Sequence, residues 1–221
     1  MIRAVILDMD GTMYDTERLS LAGWLDAAEK FGCTISQEDF LSFRGRPVEI
    51  NSRAFEKFRG RNGADYFEMR AIRTEYMQRY FRAHGIPVKD GLYDLLDFLK
   101  KAGIRTGVAT GTARETAEDY WDRTDVRKYL DFSICGKEAG EGKPAPDIFL
   151  NAARCAGERP ENCAVLEDSP NGIRSGAAAG CVTFMIPDLD EPDAEIRSLC
   201  TYVCRNLREV IPVIRKSREE G

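Results

Sequence analysis

The amino-acid sequence predicts an α/β protein in which a doubly wound, mostly parallel sheet carries an inserted all-helical subdomain. Short apolar runs that suit strands buried on both faces recur along the chain, and helical patterns separate them. From residue 16 to residue 87 this alternation stops, and helical patterns follow one another directly. The 221 residues are enough for one α/β domain with such an insert.

The apolar runs define the strands of the sheet. The first run ends directly at Asp8, and two later runs begin just after Gly103 and Gly180. The predicted strands are Ala4–Leu7, Thr106–Ala109, Phe132–Cys135, Ala164–Leu166 and Val182–Ile186. The pattern is weakest in the third of them. Because helical patterns lie between the strands, a mostly parallel sheet is expected.

Helical spacing of apolar residues predicts the remaining elements. In the core it indicates helices over Leu92–Leu99, Pro146–Ala156 and Asn171–Ala179, and a frayed helix end over Arg215–Gly221. In the insert the predicted helices are Glu17–Phe31, Gln37–Phe43, Pro47–Arg59 and Ala64–Arg82. Residues 1–15 and 88–221 are therefore assigned to the α/β core, and residues 16–87 to the helical insert.

Composition and charge exclude several classes of function. The net charge of -5 provides no broad positive field for nucleic acid, and no segment approaches the ~20 apolar residues of a membrane span. The first residues are too acidic for a signal peptide. Seven cysteines without a CxxC pair indicate reduced thiols, and His84 is the only histidine. We expect a cytoplasmic protein, monomeric or a small homo-oligomer, without a histidine-based triad.

Two carboxylates follow the first predicted strand. Asp8 and Asp10, in the segment DMDGT, lie at the carboxyl end of that strand, where open α/β sheets place their ligands. Asp8 can act as a nucleophile and Asp10 as an acid and base, and Gly11 permits a turn that brings both toward one point. The alternative is an acidic turn with no chemical role.

Three further segments place polar groups at strand ends or on loops that open a helix. Thr110 and the backbone N–H groups that follow, starting with Gly111, can hold a phosphate oxygen, or Thr110 can simply cap a helix. Lys143, in GKPAPDIF, can offset phosphate charge, or it can be a solvated surface lysine. Glu167 and Asp168 suit a hard divalent cation, although helix capping by Asp168 or Ser169 before Pro170 is an alternative.

The four segments together resemble the haloacid dehalogenase-like phosphatase superfamily. DMDGT, the strand-ending Thr110, GKPAPDIF and LEDSPNGI occur in that family's order and at compatible spacing. The resemblance covers nearly the full length. It implies a Rossmann-like core, with residues 16–87 as the family's helical cap. The most similar branch is the phosphoglycolate phosphatase and β-phosphoglucomutase-like group.

The resemblance also implies roles for these residues. Asp8 would attack phosphorus and form an aspartyl phosphate, and Asp10 would protonate the leaving oxygen and then activate water. Mg²⁺ would bind the Asp8 carboxylate, the Asp10 backbone carbonyl and Asp168, with Glu167 contacting the metal directly or through water. The implied activity is the Mg²⁺-dependent hydrolysis of a small phosphorylated metabolite, such as a sugar or polyol phosphate.

The resemblance also implies supporting roles for Thr110 and Lys143. Thr110 would donate a hydrogen bond to the transferring phosphoryl group. Lys143 would bridge the charges of Asp8 and the phosphate. Arg114 is a candidate for contact with a phosphate or a substrate hydroxyl, with a position on the helix surface as the alternative.

The insert contains the candidates for substrate selection. Arg46 and Glu49 follow a glycine that matches the family's cap glycine, and a solvated turn is the alternative for both. Trp24 matches a substrate-facing tryptophan of the mutase group, and core packing is its alternative. The mutase pattern also has a His where this chain has Ser20 and an Arg where it has Val48, and these departures favour a phosphatase over a hexose-phosphate mutase.

Other classes of function fit the sequence less well. Dehalogenases of the same superfamily typically lack a carboxylate at the position of Asp10. A catalytically silent regulator would not need the intact set of Asp8, Asp10, Lys143 and Asp168. No GxGxxG segment follows the first strand, which argues against a dinucleotide-binding protein.

Overall fold

The computed structural model describes residues 1–44, 48–58 and 65–219 and contains a six-stranded sheet. The strands are β1 (Ala4–Leu7), β2 (Arg105–Thr110), β3 (Phe132–Cys135), β4 (Cys163–Glu167), β5 (Val182–Met185) and β6 (Tyr202–Val203). They lie in the order β3-β2-β1-β4-β5-β6, and every pairing is parallel. The predicted doubly wound sheet is confirmed, and the five predicted strands are present with boundaries shifted by one residue or less.

The helices of the described residues divide between the insert and the core. In the insert they are α1 (Glu17–Phe31), α2 (Gln37–Phe43), α3 (Val48–Ala54) and α4 (Tyr66–His84). In the core they are α5 (Leu92–Lys101), α6 (Arg114–Arg123), α7 (Asp147–Ala156), α8 (Pro170–Ala178), α9 (Ala194–Leu199) and α10 (Val210–Glu219).

Strand β1 lies in the middle of the sheet and is buried on both faces. The side chains of Val5 and Leu7 enter one core cluster, which also contains Trp121 of α6. Ala4 and Ile6 point to the opposite cluster, which contains residues of α7. Successive residues of a strand alternate between the faces of a sheet, so a strand covered on both sides must be apolar throughout.

The register of the sheet brings the candidate chemistry to one edge. Leu7 pairs with Val108 of β2 on one side and with Leu166 of β4 on the other. Asp8, which follows Leu7, donates its backbone N–H to the carbonyl of Leu166 at 2.9 Å. The ends of three adjacent strands therefore lie side by side.

The insert has an apolar core of its own. Trp24 of α1 packs against Phe55 and Tyr66, with ring centroids 4.8 and 5.6 Å away. The second half of α4 instead contacts the core, where Phe81 lies 5.4 Å from the ring of Tyr120. Helix α4 thus belongs to both parts of the molecule.

Two chain segments connect the insert to the core, and they run side by side. The N–H of Asp15 donates to the carbonyl of Pro87, and the N–H of Lys89 donates to that of Met13, both at 2.9 Å. Tyr14, between these bonds, is completely buried.

None of the described helices is both long enough and apolar enough to cross a membrane.

Several element boundaries differ from the predictions for local reasons. Helix α4 begins at Tyr66 because the Asp65 side chain accepts from the N–H of Glu68 and Glu68 caps Asp65 in return. The segment after α3 forms a 3₁₀ turn over Phe55–Phe58, so the predicted helix Pro47–Arg59 is shorter than expected. Residues 215–219 of the predicted frayed end belong to α10, which buries Val210 and Ile214, and residues 220–221 lie outside the described residues.

Phe149 on α7 provides a test of the packing beneath the sheet. It is fully buried, whereas Leu150, the next residue, is 37% exposed. Phe149→Ala should lower the free energy of unfolding by about 3–5 kcal/mol, because it removes apolar contacts and leaves a cavity. Leu150→Ala should change it by no more than about 0.5 kcal/mol. Urea unfolding of both variants measures the difference, and equal effects would contradict the assignment of these faces.

Candidate active site

Asp8 lies at the centre of the site, directly after β1. Its side chain is buried and faces Asp168 across a narrow gap. Gly11, in the turn that follows Asp10, has a φ of +89°, and a Cβ there would lie 2.2 Å from Oδ2 of Asp168. Glycine is therefore required for two reasons, the backbone conformation and the close approach of the carboxylate.

Asp10 is held by two threonine hydroxyls. Thr16 Oγ1, at the start of the insert, donates to Asp10 Oδ1 at 2.7 Å, and Thr112 Oγ1, after β2, donates to Oδ2 at 2.7 Å. Thr112 is in turn tied to β2, since its N–H donates to the Thr110 hydroxyl at 3.0 Å. The orientation of the Asp10 carboxylate thus depends on both the insert and the core.

Lys143 bridges two carboxylates in the buried part of the site. Its Nζ lies 2.5 Å from Asp8 Oδ1 and 2.5 Å from Glu167 Oε1. Burial disfavours the charged ammonium, but the charges of Asp8 and Glu167 outweigh burial and raise the pKa of Lys143. Burial also raises the pKa of Asp8, and Lys143 opposes that shift. The positive charge of Lys143 therefore favours an ionised Asp8.

Glu167 is fixed by the loop that follows β4. Its Oε2 accepts the backbone N–H groups of Asp168 and Ser169 at 2.9 Å and the Ser169 hydroxyl at 3.0 Å. A Cβ at Gly172 would lie 1.8 Å from Glu167 Oε1, so helix α8 can pass this carboxylate only with glycine at that position.

The carboxylates of Asp8, Glu167 and Asp168 form a group that fits a metal ion. One oxygen from each lies within 4.8 Å of the others, and all three residues are buried. Such a group of hard, negatively charged oxygen donors is chemically suited to Mg²⁺. Three of the four residues for which the sequence predicts a metal role, Asp8, Glu167 and Asp168, thus lie together.

A residue that the sequence analysis did not identify also enters the site. Arg44, at the end of α2, is buried, and its guanidinium contacts Asp168 Oδ2. It also lies 2.5 Å from Asp190 Oδ2 and 3.4 Å from Glu17 Oε2. Thr12 Oγ1 donates to the other oxygen of Asp168 at 3.1 Å. Asp168 therefore has partners from both the insert and the core.

Glu17, in the first turn of α1, is a second charged residue that the sequence analysis did not identify. Burial raises its pKa to about 7, with Arg44 lowering it and Asp10 raising it. The only local signal for Glu17 is its position at the start of a helix, where an acidic residue is common for reasons of helix stability. Nothing in the local sequence links it to Arg44.

The remaining core candidates lie near the site or at the surface. Thr110 is buried at the end of β2, and Gly111 is exposed with open space around its Cα. Arg114 has partners other than the carboxylates of Asp8, Glu167 and Asp168. Its Nε and Nη2 donate to Glu138 at 2.7 and 2.6 Å, and its Nη1 donates to Ser133 Oγ at 3.1 Å. The structure therefore places Arg114 in the alternative position on the helix surface.

The insert candidates are only partly described. Arg46 lies outside the described residues, and Glu49 lies on α3 with a side chain outside the description. Trp24 is buried in the aromatic cluster of the insert, consistent with its packing alternative. Ser20, at the position of the mutase histidine, accepts a hydrogen bond from Arg73 Nε at 2.9 Å.

Comparison with known proteins agrees with this fold and these motifs. A model described as a haloacid dehalogenase-like hydrolase matches residues 2–180. The chain therefore belongs to the haloacid dehalogenase-like hydrolase family, as the order of the motifs predicts.

Several named relatives are phosphatases. The chain is 29% identical to the phosphorylated carbohydrates phosphatase of Thermotoga maritima, over 81% of this chain and 82% of the relative. It is also 29% identical to hexitol phosphatase A of Escherichia coli, over 89% of this chain and 91% of the relative. The crystal structure of β-phosphoglucomutase from Clostridium difficile has the same fold, with a TM-score of 0.79 and 22% identity over 100% of this chain and 98% of that one.

The raised pKa of Glu17 predicts how stability depends on pH. The shift from 4.5 to about 7 favours the protonated carboxyl in the folded protein. This stabilisation is complete below pH 4.5 and is lost as the pH rises to about 7. Glu17→Gln removes this pH dependence. Between about pH 5 and pH 8, the free energy of unfolding of the variant should therefore rise by on the order of 2 kcal/mol relative to that of the wild type.

Urea unfolding of the metal-free proteins at both pH values measures this gain. Glu29→Gln is the matched control, because Glu29 lies on the same helix and is exposed. Its stability relative to the wild type should not change with pH. The same result for Glu17→Gln would mean that Glu17 titrates as an ordinary glutamate.

Proposed function

We propose that this protein is a Mg²⁺-dependent phosphatase that hydrolyses small phosphorylated metabolites, with sugar or polyol phosphates as the substrate class. The observation that carries the proposal is the buried contact of Lys143 with Asp8, beside Glu167 and Asp168. This arrangement prepares a carboxylate nucleophile next to a group of metal ligands. The named relatives that act on phosphorylated carbohydrates and hexitol phosphates support the substrate class.

The proposed ligands of Mg²⁺ are the carboxylates of Asp8 and Asp168 and the backbone carbonyl of Asp10, with Glu167 as a direct or water-mediated partner. When bound, the ion would neutralise phosphate charge and orient the substrate. The buried carboxylate group supports this assignment, because three negative charges at such short range need cations to remain ionised together.

The first chemical step forms a covalent intermediate on Asp8. A carboxylate oxygen of Asp8 attacks phosphorus, and the bond from phosphorus to the leaving oxygen breaks. Asp10, in its protonated form, transfers its proton to that oxygen, so the alcohol leaves neutral. The Thr16 and Thr112 hydroxyls orient Asp10 for this transfer. Lys143 and Thr110 are proposed to stabilise the charge of the transferring phosphoryl group.

The second step returns the enzyme to its starting state. Asp10, now a carboxylate, accepts a proton from water while the water oxygen attacks phosphorus. The bond between phosphorus and the Asp8 oxygen breaks, which releases inorganic phosphate and a free Asp8 carboxylate. Asp10 therefore acts as an acid in one step and as a base in the next.

Residues 16–87 are proposed to form a cap over this site, with Arg46 and Glu49 as candidates for substrate selection. The paired connectors at Met13–Asp15 and Pro87–Lys89 are the proposed hinges. The hydrogen bond from Thr16 to Asp10 supports a link between the cap and the chemistry. Closure would exclude bulk water and complete the pocket. We further propose that the protein acts in the cytoplasm, as a monomer or a small homo-oligomer.

A hexose-phosphate mutase is the second candidate, because both activities share the aspartyl phosphate. A mutase must hold a bisphosphate intermediate and keep water from attacking it. Ser20 and Val48 stand where the mutase pattern has His and Arg. The Ser20 hydroxyl accepts from Arg73, so a cation is present beside the position of that histidine. This observation keeps the second candidate open to test.

Asp8→Asn should abolish turnover and leave the fold intact, because the amide is nearly isosteric but is a very poor nucleophile. The loss should reach at least roughly 10⁴-fold in kcat. Phosphate release from a generic aryl phosphate in the presence of Mg²⁺ measures it. Asp119→Asn is the control, since Asp119 lies on the surface of α6, paired with Arg123. Substantial activity in Asp8→Asn would exclude Asp8 as the nucleophile.

Hydrolysis should dominate over phosphoryl transfer between hexose positions. The protein is incubated with β-glucose 1-phosphate, Mg²⁺ and a trace of the 1,6-bisphosphate, and phosphorus NMR follows the products. Free phosphate as the main product supports a phosphatase. Near-quantitative conversion to glucose 6-phosphate would establish the mutase and would make Arg46 and Arg73 the next residues to replace.

A further inference from the structure

Arg44 connects the insert to the core at the centre of the site. It follows α2 in an extended conformation, and its backbone carbonyl accepts a hydrogen bond from Asn171 Nδ2 of α8 at 3.4 Å. Its side chain contacts Asp168 and Asp190, both in the core. Among the described residues, these contacts hold the end of α2 on the core.

The charged group of Arg44 lies in a buried acidic environment. Its side chain is 5% exposed, and the side chains of Glu17, Asp168 and Asp190 that face it are 15%, 1% and 18% exposed. The charges of these carboxylates outweigh burial and raise the pKa of Arg44. The guanidinium is therefore a permanent positive charge that compensates acidic residues of both the insert and the core.

Asp168 is at once a partner of Arg44 and a proposed ligand of Mg²⁺. Both of its oxygens have a donor in this structure, Thr12 on Oδ1 and Arg44 on Oδ2. A guanidinium and a divalent cation on one carboxylate repel each other strongly at such short range in a buried site. The two cations are alternative means of neutralising the same charge.

We propose that Arg44 and the divalent cation compete for Asp168, so that metal binding loosens the attachment of the end of α2 to the core. The inference rests on the metal site of the proposed function and adds a regulatory contact to it. Without metal, Arg44 contacts Asp168 and helps to hold the insert against the core. With metal, Arg44 loses its contact with Asp168 and keeps Asp190 and Glu17 as partners. Because coupling is reciprocal, docking of α2 weakens metal binding by the same factor.

Direct binding of Mn²⁺ to the metal-free protein tests the competition without any substrate. The electron paramagnetic resonance signal of free Mn²⁺ measures the dissociation constant for the wild type and for each variant. Arg44→Met removes the competing charge and should tighten Mn²⁺ binding at least roughly tenfold. Asp168→Asn removes the ligand and should abolish binding.

Lys89→Met is the matched control for loss of charge. Lys89 lies 2.9 Å from Asp188 Oδ1, in the segment after β5 that also contains Asp190. Among the described residues the ion-pair partner of Lys89 is Asp188 and not Asp168. Removing this charge should change the dissociation constant by less than roughly threefold, since its effect is indirect. Equal tightening in Lys89→Met and Arg44→Met would reduce the effect to general electrostatics and overturn the proposed competition.

Hydrogen exchange of the wild type provides a measurement that needs no variant. Addition of Mg²⁺ without substrate should speed the exchange of amides in α2, because its end is held less tightly on the core once Arg44 has lost Asp168. Unchanged or slower exchange would overturn the inference.

The Mn²⁺ binding experiment also separates this inference from the proposed function. If Arg44→Met binds Mn²⁺ as the wild type does, the competition is excluded and the metal site stands. If neither protein binds Mn²⁺, the metal site of the proposed function fails, and the inference fails with it.

Discussion

The ion pairs of Lys143 with Asp8 and Glu167 are the interaction on which the site depends. Asp8, Glu167 and Asp168 bring three carboxylates into a buried space, and burying several like charges without compensation is costly. Lys143 contacts two of them, and Arg44 contacts the third. Burial raises the pKa of Asp8 and of Asp168, and Lys143 and Arg44 oppose these shifts, so the site is sensitive to the loss of either cation.

The backbone makes this concentration of charge possible. Parallel strands end at one edge of the sheet, so segments far apart in the chain deliver their polar side chains to one place. Gly11 and Gly172 let the chain pass carboxylates where a Cβ would collide with Asp168 or Glu167. The connectors beside Tyr14 join the insert directly to the turn that contains Asp10. The Thr16 hydroxyl therefore ties the orientation of Asp10 to the position of the first residue of the insert.

Local sequence was sufficient for five of the six strands and for the position of the motifs at the edge of the sheet. Strand β1 and Asp8 were predictable because an apolar run followed by an acidic residue is a local signal. Arg44 was not predictable, because its partner Asp168 lies 124 residues away and belongs to the core. Strand β6 has two residues and no apolar run, so its pairing depends on β5. Arg114 follows Thr110 closely in sequence, but its guanidinium contacts Glu138 and Ser133 on the helix surface, which is the alternative that the sequence also allows.

The most direct test of the central claim is to trap the phosphorylated residue during turnover. Borohydride reduces an acyl phosphate to the alcohol, which would convert an aspartyl phosphate into homoserine. Quenching the enzyme with borohydride in the presence of substrate and Mg²⁺, followed by peptide mass spectrometry, identifies the position. Homoserine at position 8, absent without substrate, is the result that this account predicts. Homoserine at another position, or an unmodified Asp8 under conditions of rapid turnover, would contradict it.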